Sequence, residues 1–386
     1  MNIILAILIF SSIIAIHEFG HFLAAKFFKI GVVEYSIGMG PLLIGKRIGE
    51  TFYALRAIPF GGYCAMYGEE SLEANEKGSN KEEKELKEEP SGWKFLGKKP
   101  NYKLDFDKSQ SFSDQKPWKK IIVFIAGPFF NIVLGFVACL ISICIWGANE
   151  PLVVTEIMEN SSAEEQGVEV GDLIIAINDR KVLTFGDYQE YKLTHAKQCE
   201  NGYSVTVDRN GESIVFDLVP SLLYDEISGE ELPLVGLKIQ NNIEKKNFVD
   251  TIKYSFNDTK YWVTTVIDSI GMLARGEAKA TDLTGAIGIT NMVGESIDSA
   301  KEYGNSAIVE TILMLIALIS INLGVMNMLP FPALDGGRTC MTFFELITTK
   351  KVPTKIEFAV NAIGMLCLIA LMVFTVFNDI IRIMNL

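Results

Sequence analysis

At 386 residues the chain is long enough for two or three domains, and 49% of it is hydrophobic. A formal net charge of -12 argues against nucleic acid as a partner. Positive mean hydropathy and several long apolar runs point to a polytopic membrane protein rather than a soluble one.

The first apolar run, residues 2–28, is read as a membrane helix that is retained, because it lacks a basic leader and a small-residue cleavage site. It carries His17-Glu18-Phe19-Gly20-His21. Histidines four apart share one helical face and can reach a single zinc ion, while Glu18 can activate water. Ionisable groups at that depth are costly in a bilayer and mark function. Residues 31–68 follow, rich in Val, Ile, Tyr and Phe with glycines at turn-like intervals, and read as short strands or hairpins. Residues 69–116 are a charged insertion, read as a solvated, partly helical or disordered face.

A second span is expected within 117–147. Residues 148–223 alternate in short runs separated by Asn-Asp and Asn-Gly turns, as a soluble domain does. In 224–307, Phe248, Ile252, Phe256, Trp262, Val266, Ile270 and Leu273 recur at helical spacing. That stripe predicts an amphipathic helix on the membrane surface, in preference to one packed on a soluble domain. Spans three and four are expected at 308–329 and 358–377, and Asn322, Asn327 and Asn361 imply contacts with protein or water there. Lysine and arginine crowd the loops after spans one and three, which places both loops in the cytoplasm. The six cysteines form no CxxC pair and read as unreactive.

Only three histidines occur, so a third ligand near the pair is a carboxylate or a thiol. The best candidate is Asp335, in Asn327-Met328-Leu329-Pro330-Phe331-Pro332-Ala333-Leu334-Asp335-Gly336-Gly337. Pro330 and Pro332 break the helix and the glycines permit a tight turn. Broken backbone at membrane depth is tolerated where it is buried in protein or lines a wet cavity. The alternative for Asp335 is a plain turn residue at the membrane interface.

The two motifs together resemble the site-2 protease family of intramembrane zinc metalloproteases. Ser36-Ile37-Gly38-Met39-Gly40-Pro41, Ile58-Pro59-Phe60-Gly61-Gly62-Tyr63 and Ala126-Gly127-Pro128-Phe129-Phe130-Asn131 extend the likeness, and Ala163, Gly167, Gly171, Asp172 and Ile174 resemble a PDZ signature. The resemblance implies a polytopic α-helical membrane protein with four transmembrane helices. A membrane-associated β-hairpin region and an inserted extracytoplasmic PDZ-like domain complete the implied fold. It implies Zn2+ bound by His17, His21 and Asp335, with Glu18 as general base. Asn327, Asn322 and Asn131 would hydrogen-bond the substrate backbone or oxyanion, with a helix–helix hydrogen bond the alternative for the latter two. Gly61, Gly62 and Tyr63 would pair with an unwound substrate strand. The partners implied are the lipid bilayer and single-pass membrane proteins trimmed beforehand by another protease, such as anti-sigma factors or remnant signal peptides. The implied location is the bacterial cell membrane, multi-pass, with the active site toward the cytoplasm. An ion channel fits the HExxH spacing poorly, and an inactive scaffold fits poorly with all four catalytic positions present.

Overall fold

The computed structural model describes residues 2–69, 94–97, 106–149, 151–225, 230–240, 242–278 and 283–384. Most of the charged insertion lies outside these. In chain order, helix α1 (Asn2–Phe27) leads into strands β1 (Val32–Ile48), β2 (Thr51–Met66) and β3 (Lys94–Gly97), then helix α2 (Pro117–Trp146). Next come β4 (Ala148–Asn149), β5 (Val154–Ile157), α3 (Ser162–Gln166), β6 (Leu173–Ile177), β7 (Arg180–Lys181), α4 (Phe185–Thr194) and α5 (Ala196–Cys199). Strands β8 (Tyr203–Arg209), β9 (Glu212–Leu218), β10 (Ser221–Asp225), β11 (Glu230–Leu234), β12 (Leu237–Ile239) and β13 (Ile243–Glu244) precede the long helix α6 (Phe248–Ala274). Helices α7 (Ala286–Lys301), α8 (Asn305–Asn327), α9 (Asp335–Thr348) and α10 (Thr354–Met384) complete the chain. Two compact units result, one of Met1–Ala138 with Thr281–Leu386, the other of Cys139–Ala280.

Four helices among the described residues are long and apolar enough to cross a membrane: Ile4–Phe27, Pro117–Trp146, Asn305–Asn327 and Lys355–Arg382. The expected four spans are therefore present. The third ends at Asn327, two residues short of the expected end at 329, and the chain beyond the prolines does not continue it. It turns and starts α9 at Asp335, in a stretch where the sequence suggested only a loop. Helix α7 packs Val293 and Ile297 against Ala6 of α1 and Leu315 of α8. Its first turn has no side-chain cap of its own. Buried Asp379 of α10 supplies one, accepting from the Gly285 and Gly288 amides at 3.1 and 2.8 Å.

The expected short strands are one long hairpin, turned at Gly49 with φ 61° and bent back on itself. The three strands lie in the order β2-β1-β3. Glu34, Tyr35, Ser36 and Ile37 each have two neighbours: Ala65, Cys64, Tyr63 and Gly62 on one side, Phe52, Tyr53, Ala54 and Leu55 on the other. Residues 62–66 therefore form an edge with no strand beyond it among the described residues. Glu34 is fully buried, and Arg56 and Tyr63 both donate to its Oε1, at 2.5 and 2.6 Å. A buried carboxylate needs such partners, so this trio holds the bend.

The second unit is built on the sheet β7-β6-β8-β9, whose inner face contributes Ile174, Ile177, Val205, Val207 and Leu218 to one core. Gly167 caps α3 at φ 82° and Gly171 turns at φ 99°, conformations that favour glycine. Asp172, next in the chain, is buried against Arg209, whose hydrogen bonds hold its carboxyl below the usual carboxylate range. Strand β12 pairs with β5 and Val235 joins the core, so the expected boundary at residue 223 falls inside this unit. The described residues of 224–247 are strands and irregular chain where a helical region was expected, because extended β12 completes a ladder that helical chain cannot.

Helix α6 corrects the surface-helix expectation in part. It packs on the second unit through Thr251, Tyr254, Ser255, Thr259 and Val266, leaving Phe248, Ile252, Phe256 and Ile267 exposed. Asn257 donates to Asp187 at 3.1 Å, and Arg180 pairs with Asp268 of α6 and Glu190 of α4. One guanidinium thus serves two carboxylates. Burial, opposed by Arg180 and reinforced by Asp268, pushes Glu190 up to about 7. A raised acid contributes stability that is complete below its unfolded value and is lost as pH rises through the folded one. The melting temperature of the purified protein should fall between pH 5 and pH 8, and Glu190→Gln should flatten that slope. An unchanged slope in the variant would remove Glu190 as its source.

Candidate active site

Between Asn2 and His17 helix α1 has no polar residue other than Ser11 and Ser12, so its apolar surface is free to pack in lipid and against helices. The four-residue spacing stacks the His17 and His21 rings edge to face, centroids 4.9 Å apart, and both side chains are buried. His21 Nδ1 lies 2.8 Å from the Val123 carbonyl of α2. A carbonyl only accepts, so the proton is on Nδ1 and the Nε2 lone pair is free. His17 Nε2 is 3.2 Å from His21 Nε2.

Asp335 closes the cluster. Its Oδ2 is 3.1 Å from His17 Nε2 and 3.4 Å from His21 Nε2. Among the described residues this is the one cluster of three or more His, Cys, Asp or Glu ligand atoms within 4.8 Å of one another. A tetrahedral zinc with bonds of 2.0–2.1 Å spaces its ligands about 3.3 Å apart. The three atoms stand at that spacing, and two imidazoles with a carboxylate are a zinc donor set.

Glycines let the elements approach closely enough. A Cβ on Gly20 would sit 2.4 Å from the Ala126 carbonyl, so α1 and α2 cross backbone to backbone there. A Cβ on Gly127 would lie 2.3 Å from His21 Nε2 and 2.9 Å from His17 Nε2, in space the ligand atoms use. Asp335 begins α9, where the helix dipole favours a carboxylate. The preceding loop is drawn tight: Cβ atoms on Gly336 and Gly337 would meet the Leu329 and Phe331 carbonyls at 2.2 Å. Helix α10 braces this loop from outside, with Asn361 Oδ1 accepting from the Ala333 amide at 3.2 Å. Gly364 lies so close that a Cβ would be 2.5 Å from Pro332.

Glu18 faces the hairpin. The Cys64 backbone hydrogen-bonds to it, and a Cβ on Gly62 would be 3.3 Å from its Cγ. Gly61 has φ 89°, against Met39. Tyr63 points elsewhere, its hydroxyl held by Glu34 and Arg56, so its side chain is part of the hairpin's bend. Asn131 is fully buried with Nδ2 3.2 Å from His17 Nδ1, a contact the spacing did not foretell. Asn322 is exposed and Asn327 half-buried, and neither side chain hydrogen-bonds another described residue. The remaining histidine, His195, stacks on Tyr191 at 4.3 Å in the second unit. Reading the sequence missed Gly127, Val123 and Gly364, and gave Asn361 a contact with protein or water without saying which. Gly127 stood in a quoted motif, but nothing in it showed that the missing side chain makes room for imidazoles.

Two imidazoles and a neighbouring glutamate on a helix long and apolar enough to cross a membrane, met by a carboxylate at the start of α9, define a metallopeptidase-type centre within a membrane protein. The profile of peptidase family M50 matches residues 5–371. A Clostridium perfringens protein named "Putative zinc metalloprotease CPE1693" is 34% identical over 99% of this chain and 99% of its own. "Zinc metalloprotease RasP" of Shouchella clausii is 28% identical over the whole of both chains. The chain belongs to peptidase family M50, the site-2 protease family, and is an intramembrane zinc metalloprotease with Zn2+ as its cofactor.

A methyl group at either glycine position should displace a ligand atom. Gly127→Ala and Gly336→Ala should each lower the zinc content of the purified protein by at least half while leaving helix content intact. Full zinc content in both variants would contradict the packing argument.

Proposed function

We propose that this protease cuts peptide bonds within the membrane segments of single-pass proteins, with His17, His21 and Asp335 holding zinc and Glu18 as general base. The carrying observation is the meeting of His17, His21 and Glu18, on a helix long and apolar enough to cross a membrane, with Asp335 at the start of α9, beside a strand edge unpaired among the described residues. When bound, the metal polarises the scissile carbonyl and acidifies water to a pKa of about 7. Glu18 takes a proton from the attacking water and passes it to the amine nitrogen as the carbon–nitrogen bond breaks.

A membrane helix shields its peptide bonds in its own hydrogen bonds, so it must unwind first. Residues 62–66 offer the unwound segment a ladder, and Gly62 brings that ladder against Glu18. Exposed Asn322 and half-buried Asn327 are the side chains left to contact the substrate or the oxyanion. The basic loops after spans one and three support a site toward the cytoplasm and an extracytoplasmic PDZ-like domain. Substrates already shortened by another protease, anti-sigma factors or remnant signal peptides among them, suit this arrangement.

The test uses purified full-length protein in detergent with a single-pass substrate. Wild type should contain zinc and cleave; Glu18→Gln should keep zinc and lose at least 100-fold in rate. Cleavage by that variant at the wild-type rate would exclude Glu18 as the base. A proline introduced within residues 61–67 should reduce cleavage and spare zinc, and undiminished cleavage would sink the strand-pairing step.

A further inference from the structure

A histidine that binds metal through one ring nitrogen carries its proton on the other, and that proton needs an acceptor. His21 has the Val123 carbonyl. Behind His17, on the ring edge away from Asp335, the one side chain bonded to Nδ1 among the described residues is Asn131. Its Nδ2 lies 3.2 Å from Nδ1, while its Oδ1 is buried with no hydrogen-bond partner. With the proton on Nδ1, two donors would face each other there. A half-turn about χ2 exchanges the two ends of the amide, replaces that contact with a hydrogen bond and gives Oδ1 its partner.

Resting on His17 as a zinc ligand, we propose that Asn131 is a positioning residue for the metal. Its carboxamide oxygen accepts the His17 Nδ1–H and so turns the Nε2 lone pair toward His21 and Asp335. The residue is built for a fixed role. It has no exposed surface, Ser320 of α8 donates to its backbone carbonyl at 2.8 Å, and a Cβ on Gly324 would lie 3.3 Å from its own Cβ. Helix α8 thereby holds Asn131, and Asn131 holds His17. A residue this enclosed, on the far edge of a ligand's ring, acts through that ligand and does not reach the substrate.

Zinc affinity separates this role from packing. Purified full-length Asn131→Leu, close in volume but without an acceptor, should bind zinc 10- to 100-fold more weakly in competition with a chromophoric chelator. Its cleavage should recover at saturating zinc. Asn131→Asp keeps an acceptor and should bind zinc at least as tightly as wild type. Wild-type affinity in Asn131→Leu would overturn the proposal, and so would Asp and Leu variants that are equally weak, since the loss would then be one of packing. His17→Ala is the separate control: unimpaired zinc binding there would overturn His17 as a ligand, whatever Asn131 does.

Discussion

An imidazole removed from water has two nitrogens to satisfy, and in this protein each requirement recruits a helix. His21 needs Val123, which fixes the depth of α2 beside α1. His17 faces Asn131 on one edge and Asp335 on the other, which brings in the start of α9 as well. Unsatisfied polar groups cost roughly 1–3 kcal/mol each on burial, comparable to a sizeable fraction of a protein's whole stability. Polar satisfaction at the site and helix packing around it are therefore one problem.

Small residues solve it. Gly20, Gly127 and Gly324 lie where helices cross at backbone contact. In lipid there is little hydrophobic gain from bringing helices together, and close packing with interhelical hydrogen bonds must supply the affinity. Pro128 sits within α2 beside two of these crossings, removing one rung of the helix where Gly324 approaches its carbonyl.

Much of this was legible from residue types and spacing. Histidines four apart declared a shared face, and Asp335 between prolines and glycines declared a broken helix; the cluster they form follows from both. What escaped the sequence depended on contacts across long separations. Tyr63 sat in a glycine-rich strand and looked free to meet a ligand, yet Glu34 and Arg56 claim it through the hairpin's bend. The 223 boundary failed because β12 returns to β5 across some eighty residues, and pairing at that range leaves no local pattern. The apolar stripe of α6 was visible, but the partner of its opposite, polar face was not.

Asn361 and Gly364 on α10 supply no ligand, yet they brace the loop that presents Asp335. The order of synthesis gives this bracing a temporal meaning. Synthesis makes His17 and His21 before Asp335, which lies more than 300 residues further on, and makes the bracing Asn361 and Gly364 after it. Until Asp335 is made, the growing chain holds only part of its candidate metal site. The three candidate ligands can therefore meet only after the start of α9 has been made, and the loop that presents Asp335 is braced only after α10 follows it.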